Sequence, residues 1–232
     1  MKFRVGKRKV KITADEVTAF LFGALVVGAV WATVWVSQQQ TRPNITTFHD
    51  DGITAAWIPD TVKRWQEPIN ESARRYNIDP NLIAIIMTLE SGGHTKANSG
   101  VAKGLMQVTD YTGGDIAAKF LRTPRTEYDL FDPATSIEFG TAYLAYLRDT
   151  FCTADAGLST NECIEVIAAG YNGGPGAAGS LYRGEGLGDM QTVGYSRDAY
   201  HMWRERNAAT SPTYLRWAER GGQSLVDAAK AE

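Results

Sequence analysis

Cysteine and histidine are scarce in this chain of 232 residues, which contains two of the first and three of the second. A structural zinc site needs four such ligands at close and regular spacings. The histidines are scattered, and the two cysteines form no paired motif with them. We therefore predict no metal site, and no motif in the sequence indicates a cofactor.

A large excess of positive charge is also absent, since the net charge is -2. The first eleven residues nevertheless hold a basic cluster of six side chains: Lys2, Arg4, Lys7, Arg8, Lys9 and Lys11. Removing those six charges from the net charge of -2 leaves the remainder near -8. A basic face is the usual electrostatic mark of a nucleic-acid-binding protein. The sequence therefore predicts no nucleic-acid partner.

One long hydrophobic run is present, directly after the basic cluster. Residues 17–36 carry no charge over twenty positions, about 30 Å as a helix, which matches a bilayer core. Trp31 and Trp35 lie toward its far end, where indole rings favour the membrane interface. A cleaved signal peptide and a buried core helix are the competing interpretations. We predict a single transmembrane anchor with a cytoplasmic N-terminus and the rest of the chain outside the cytoplasm.

Strand signals and internal repeats are lacking, whereas helix signals recur. Asp79 and Pro80 form a cap followed by proline at the first helical position, and residues 81–89 are apolar almost all round. This pattern predicts a buried helix. Further helices are expected after Asp132-Pro133 and over residues 162–170. The fold class predicted is therefore mainly α.

Three regions give weaker signals. Residues 173–194 are rich in glycine, and we expect mainly loop there. The tail after Asn207 is polar, with one further helix expected over residues 212–220. Residues 37–57 are polar and weakly patterned, which favours a linker.

Cys152 and Cys163 fall in the part of the chain predicted to be exported, where a disulfide persists. The bond would close a short loop, worth about 2–3 kcal/mol on the chain-entropy model. Two unpaired buried thiols are the alternative. The polar residues between them read as an exposed loop, and this favours the disulfide.

Glu90 ends the apolar run Met87–Leu89, and it is the candidate catalytic residue. An ionisable group at the edge of a hydrophobic helix is costly to bury unless it has a partner or a function. A carboxyl in such a place tends to hold its proton, as a general acid must. A structural ion pair is the alternative role for this side chain.

Three further motifs follow in order: residues 104–107 (Gly-Leu-Met-Gln), residues 168–174 (Ala-Ala-Gly-Tyr-Asn-Gly-Gly) and residues 191–195 (Gln-Thr-Val-Gly-Tyr). With the glutamate motif, they resemble the successive motifs of the family 1 lytic transglycosylases, whose catalytic domains are similar to the C-terminal domain of soluble lytic transglycosylase. The resemblance covers about residues 69–203, and it implies a lysozyme-like helical domain with glycine-rich loops.

The resemblance implies an enzyme that cleaves the β-1,4 bond between N-acetylmuramic acid and N-acetylglucosamine in peptidoglycan and leaves 1,6-anhydromuramyl ends. Glu90 would be the catalytic acid and then the base. Substrate-binding roles carry over to seven residues: Ser91, Gly104, Met106, Gln107, Tyr171, Asn172 and Tyr195. Each has a plainer reading, as a helix cap, a turn residue or a core side chain.

The sequence departs from the family pattern twice. Gln191 stands where the family usually has an acidic residue, and Lys103 stands where it often has arginine. The lysine keeps the positive charge and loses the planar fork of the guanidinium.

Combined with the anchor, the resemblance predicts five parts: 1–16 basic cytoplasmic segment, 17–36 anchor, 37–57 linker, 58–206 catalytic domain and 207–232 tail. It predicts peptidoglycan strands as the substrate and wall cleavage within a larger envelope-spanning, secretion or virion assembly, including a phage virion membrane. A hydrolytic muramidase is one alternative, with Asp110 or Asp115 as a second carboxylate. A non-catalytic wall-binding protein is another.

Overall fold

The computed structural model describes residues 49–121, 124 and 126–232. Within these residues the chain forms nine α-helices and one very short hairpin. The helices are α1 (Asp60–Lys63), α2 (Gln66–Tyr76), α3 (Pro80–Ser91), α4 (Asp110–Asp115), α5 (Pro133–Phe151), α6 (Thr160–Tyr182), α7 (Met190–Glu205), α8 (Pro212–Trp217) and α9 (Gln223–Lys230). The prediction of a mainly helical fold is confirmed.

The hairpin is antiparallel and pairs β1 (Ala102–Lys103) with β2 (Val108–Thr109). π-Helical turns follow α4 at Ile116–Phe120 and α8 at Ala218–Gly222, and a 3₁₀ turn covers Ala154–Ala156. The residues between the two strands form the loop that carries the Gly-Leu-Met-Gln motif.

The predicted anchor, residues 17–36, and the basic segment before it lie outside the described residues. None of the helices described here is both long enough and apolar enough to cross a membrane. The predicted linker is described only from residue 49. There, Ala55 is fully buried, and the backbone amides of Thr54 and Ala55 donate to Asn81 Oδ1 at 2.9 and 3.0 Å. This end of the linker therefore packs onto α3.

Helix α3 is the centre of the core. Asp79 caps it by accepting a hydrogen bond from the Asn81 amide at 2.8 Å, and Pro80 occupies the first turn, where a missing N–H costs nothing. Helices α5, α6 and α7 pack in sequence along the chain, and α3 contacts both α5 and α7. An apolar helix with neighbours on several sides has no polar face to expose.

The prediction of mainly loop over residues 173–194 is wrong. Helix α6 continues to Tyr182 and α7 begins at Met190, so only residues 183–189 connect them. Gly174 has φ 80° and ψ 172°, which breaks the helix locally, and Pro175 restarts it with a favourable φ. The glycines here thus serve a kink and close helix packing.

The tail also packs onto the domain, which the sequence did not reveal. An added Cβ at Gly92, the αL cap of α3, would lie 2.6 Å from the Val226 amide nitrogen, so α9 approaches this helix end closely. The predicted final helix over 212–220 is found as α8 and the following turn. The Glu232 carboxylate accepts hydrogen bonds from the Thr95 amide and hydroxyl at 3.1 and 2.6 Å.

Candidate active site

Glu90 is the only residue of α3 that is not buried. The helix ends at the next residue, Ser91, and Gly92 caps it in a left-handed conformation with φ 61°. The Glu90 carboxyl therefore extends from a rigid, fully packed helix to a surface that is only partly open to solvent. A catalytic group needs this kind of support, since its geometry must be fixed before substrate arrives.

Desolvation raises the pKa of Glu90 from its ordinary value of 4.5 to about 7. The Tyr195 hydroxyl donates a hydrogen bond to Glu90 Oε1 at 2.6 Å, and this bond opposes the rise by favouring the carboxylate. Glu90 forms no ion pair within the described part of the chain. The ion-pair role is thus not what the geometry favours.

The loop between the two hairpin strands is hydrogen-bonded to the C-terminal end of α3, next to Glu90. Gly104 has φ +74°, and a Cβ there would lie 1.9 Å from the Leu130 carbonyl oxygen, so only glycine fits. The Ser91 hydroxyl donates to the Leu105 carbonyl at 2.7 Å. The Met106 side chain packs directly on Gly140, where an added Cβ would be 2.7 Å away.

These contacts place three of the predicted substrate-binding residues beneath the surface. Ser91 and Met106 are 0% exposed, and Gly104 is buried. Their role in substrate binding stays a prediction. The Ser91 hydroxyl donates to the loop carbonyl of Leu105 and accepts from the Gly93 amide at 3.1 Å, so its hydrogen bonds are made with backbone groups. Ser91 holds the loop against α3, and Met106 packs it against Gly140 of α5.

Gln107 is the loop residue that faces outward. Its backbone is left-handed, with φ 45°, and its side-chain Nε2 donates to the carbonyls of Ala97 and Gly104 at 2.9 and 3.0 Å. The side chain is partly exposed and borders a cavity of about 120 Å³ that Tyr171 and Asn172 also line. Both donors of the amide are used internally, so its oxygen is the group left for a ligand.

Tyr171 links α6 to the loop. Its hydroxyl donates to the Met106 carbonyl at 2.8 Å, and its ring lies 5.6 Å from that of Tyr143. Burial raises the pKa of Tyr171 well above its ordinary value, and the nearby Glu90 carboxylate adds to the rise. The pKa of Tyr195 is raised for the same two reasons. Both phenols therefore stay protonated and act as hydrogen-bond donors.

Asn172 follows Tyr171 at the kink of α6. It lines the 120 Å³ cavity and also a larger one of about 410 Å³ between the second half of α6 and the start of α7. Its Oδ1 lies 3.0 Å from the Thr192 hydroxyl. Gln107, Tyr171 and Asn172 thus line one groove, the 120 Å³ cavity. Tyr171 also lies near Glu90, which is hydrogen-bonded to Tyr195.

Sequence reasoning missed two residues of this region, Thr192 and Asp189. Thr192 is 4% exposed and touches Asn172, and Asp189 caps α7 by accepting from the Thr192 amide at 2.8 Å. The available signal was the cap pattern itself, an aspartate just before a helical segment. The expectation of a loop over residues 173–194 concealed it.

The two alternative carboxylates lie elsewhere on the surface. Lys103 Nζ is 2.8 Å from both carboxylate oxygens of Asp110, and Lys119 Nζ is 2.7 Å from Asp115 Oδ1. The Asp110 side chain is 71% exposed. Neither aspartate lines the cavity beside Tyr171 and Asn172.

Cys152 and Cys163 are joined as a disulfide, with Cα atoms 5.8 Å apart. The bond connects the end of α5 to the beginning of α6. In the part of the chain that the structure describes, no group of three or more His, Cys, Asp and Glu side chains is arranged to hold a metal ion.

Residues 67–188 match the family model described as "Transglycosylase SLT domain". This match covers just over half of the chain, and the chain belongs to this family. The fold and the order of the motifs agree with that membership.

Individual relatives carry more particular names. The chain is 35% identical over 175 residues to membrane-bound lytic murein transglycosylase C of Edwardsiella ictaluri, covering 70% of this chain and 48% of the relative. It is 39% identical over 113 residues to the protein of the same name from Yersinia enterocolitica, covering 47% of this chain and 31% of the relative. The chain therefore spans about half or less of the length of the curated relatives it matches.

A solved structure is also similar, that of an inactive mutant of lytic transglycosylase Slt from Pseudomonas aeruginosa. The TM-score is 0.48 at 23% identity, and the match covers 63% of this chain and 25% of the other.

Proposed function

We propose that this protein is a peptidoglycan lytic transglycosylase, which cleaves the bond between N-acetylmuramic acid and N-acetylglucosamine without water. The observation that carries the proposal is the state of Glu90: a partly exposed carboxyl at the end of a buried helix, with a pKa raised to about 7 and no ion pair among the described residues. A general acid is most effective when its pKa lies near the working pH. The family membership and the names of the relatives supply the substrate class.

Glu90 performs both proton transfers in this scheme. The Tyr195 hydroxyl occupies Oε1, so the acidic proton sits on Oε2 and is available to the glycosidic oxygen. After the bond breaks, the resulting carboxylate takes the proton from the muramyl C6 hydroxyl, whose oxygen closes onto C1. The hydrogen bond from Tyr195 strengthens as Glu90 becomes charged, because charge-assisted bonds are stronger than neutral ones.

The positive charge that develops at C1 is met by the acetamido oxygen of the substrate itself. Such substrate assistance is a known exception to the two-carboxylate scheme of glycoside cleavage. A second protein carboxylate is then unnecessary. This agrees with the outward, ion-paired positions of Asp110 and Asp115.

The hydrolytic muramidase and the non-catalytic binding protein are the competing functions. Mass spectrometry of digested peptidoglycan separates all three. We expect muropeptides with 1,6-anhydromuramyl ends, each lighter by one water than the hydrolytic product. Reducing muramyl ends would establish a hydrolase, and the absence of any released muropeptide would establish a binding protein.

We further propose that residues 17–36 tether the enzyme to a membrane, with residues 58–206 as the catalytic domain on the outer side. The twenty uncharged residues and the basic flank support the tether, and relatives named membrane-bound transglycosylases are consistent with it. A tethered enzyme cuts the wall locally, which suits a secretion apparatus or a virion that must open the wall. Carbonate extraction of membranes tests the tether, since an integral protein stays in the pellet and a peripheral one is released.

A further inference from the structure

The fourth motif lacks the acidic residue that the family usually has directly before its threonine, because Gln191 occupies that position. A carboxylate nevertheless reaches Thr192 from two residues further back. Asp189 Oδ2 accepts hydrogen bonds from the Thr192 amide at 2.8 Å and from the Thr192 hydroxyl at 2.7 Å. These bonds lower the pKa of Asp189, so it is ionised whenever Glu90 is near its working pH.

Thr192 connects this carboxylate to the site. Its hydroxyl is 3.0 Å from Asn172 Oδ1, and the approach is close because position 173 is glycine. A Cβ at Gly173 would lie 2.9 Å from Thr192 Cγ2, which is tighter than side chains tolerate. Helix α7 is thereby pressed against the kink of α6 at the residue that borders both cavities.

A hydroxyl has one proton to donate and can give it to only one acceptor. Thr192 can donate to the ionised carboxylate at 2.7 Å or to the neutral amide oxygen at 3.0 Å. The charge-assisted bond is the stronger. With its proton on the Asp189 side, the Thr192 oxygen can only accept, and it then faces a second acceptor, Asn172 Oδ1, at 3.0 Å. The Asn172 amide therefore turns over relative to the structure, so that its NH₂ end donates to the Thr192 oxygen.

We propose that Asp189 is a positioning residue that, through Thr192, turns the Asn172 carbonyl toward the substrate groove. The inference rests on the transglycosylase function proposed above. A carbonyl in that place accepts from the N–H of the muramyl acetamido group. It leaves the acetamido oxygen free and directs it toward C1, where that oxygen must stabilise the developing positive charge.

The reverse orientation would oppose the reaction. If Asn172 presented its NH₂ group instead, it would donate to the acetamido oxygen. That hydrogen bond would engage the lone pair of the acetamido oxygen, which has to stabilise the positive charge at C1. The charge of Asp189 therefore acts on the chemical step, and its removal should lower kcat more than it changes KM.

The variant D189N tests this. Asparagine caps a helix as well as aspartate does, so α7 should keep its N-terminus while the charge is lost. We expect kcat for release of anhydromuropeptides by the full chain to fall about tenfold, the rate equivalent of one hydrogen bond, with KM within about twofold of the wild type. The matched control is D132N, the same change at the cap of α5, which should leave both constants unchanged.

A double-mutant cycle with T192V distinguishes the relay from a purely structural role. T192V removes the hydroxyl, so D189N should cause no further loss in that background. The proposal is overturned if D189N keeps the kcat of D132N, or if the two losses multiply independently. If the wild type itself releases no anhydro products, the proposed function fails first, and that outcome is distinct from both.

Discussion

Glu90 and Asp110 are carboxyl groups carried by neighbouring motifs, yet their surroundings are opposite. Glu90 sits at the end of a fully buried helix with one phenol as its partner, and its pKa rises to about 7. Asp110 begins an exposed helix and is paired with Lys103 through both oxygens. The comparison teaches that the loss of water, without a compensating cation, is what prepares a carboxyl to donate a proton.

The largest difference between Glu90 and Asp110 should be in the activity that is lost when each is replaced. Replacing Glu90 with glutamine keeps the shape and removes the proton, so we expect turnover to fall at least about a thousandfold, in the range typical of a lost acid–base group. Muropeptide release measured by chromatography gives the rate. Retention of more than a tenth of the activity would show that Glu90 is not the acid.

The same substitution should have an effect of opposite sign on stability. A carboxyl with a pKa of 4.5 unfolded and about 7 folded adds no penalty below pH 4.5, since both states hold the proton. Stability is lost as the pH rises from 4.5 through 7. We expect E90Q to be more stable than the wild type at pH 8, by on the order of 2 kcal/mol allowing for partial exposure, and equal to it at pH 4.

Chemical denaturation at the two pH values measures this difference. Equal stability at pH 8 would mean that Glu90 is well solvated. Such a result would also remove the basis for its raised pKa.

Removing the hydroxyl of Tyr195 tests how this neighbour sets the pKa of Glu90. The hydrogen bond to Glu90 favours the carboxylate and so lowers the pKa, and Y195F should therefore raise it above 7. The basic limb of the kcat/KM profile, which reports the protonated acid of the free enzyme, should move to higher pH. The maximal rate should fall about tenfold, since the carboxylate needed for the second proton transfer loses its stabilising bond. A profile that keeps its basic limb would contradict this role.

The smallest effect is expected at Asp110. D110N breaks an exposed pair with Lys103, and such surface pairs contribute about 0–1 kcal/mol. Activity should stay within about twofold of the wild type, and D115N should behave alike. A large loss of activity in either variant would revive the hydrolase, because it would identify a second carboxylate in the chemistry.

Much of the framework followed from local signals in the sequence. The Asp79-Pro80 cap and the apolar run of α3 are each encoded within a few residues, and the structure contains that helix as expected. The same holds for the start of α5 at Asp132-Pro133. Patterns of this kind are readable because their causes are adjacent in the chain.

The features that could not be predicted depend on contacts between residues that are distant in the sequence. Ser91 follows Glu90 in the chain, but successive side chains on a helix point about 100° apart, so it meets the Leu105 carbonyl and not the carboxyl. Gly173 serves the approach of Thr192, which is a matter of helix packing and cannot be read from glycine content. The role of Asp189 depended in turn on recognising that α7 begins there.

The most direct test is a titration of Glu90 itself. In the full chain labelled with ¹³C at glutamate side-chain carboxyls, the resonance missing from E90Q identifies Glu90, and its shift is followed with pH. We predict a midpoint near 7 in the wild type. A midpoint near 4.5, the ordinary value for glutamate, would contradict the account of Glu90 as a solitary acid poised to protonate the glycosidic bond.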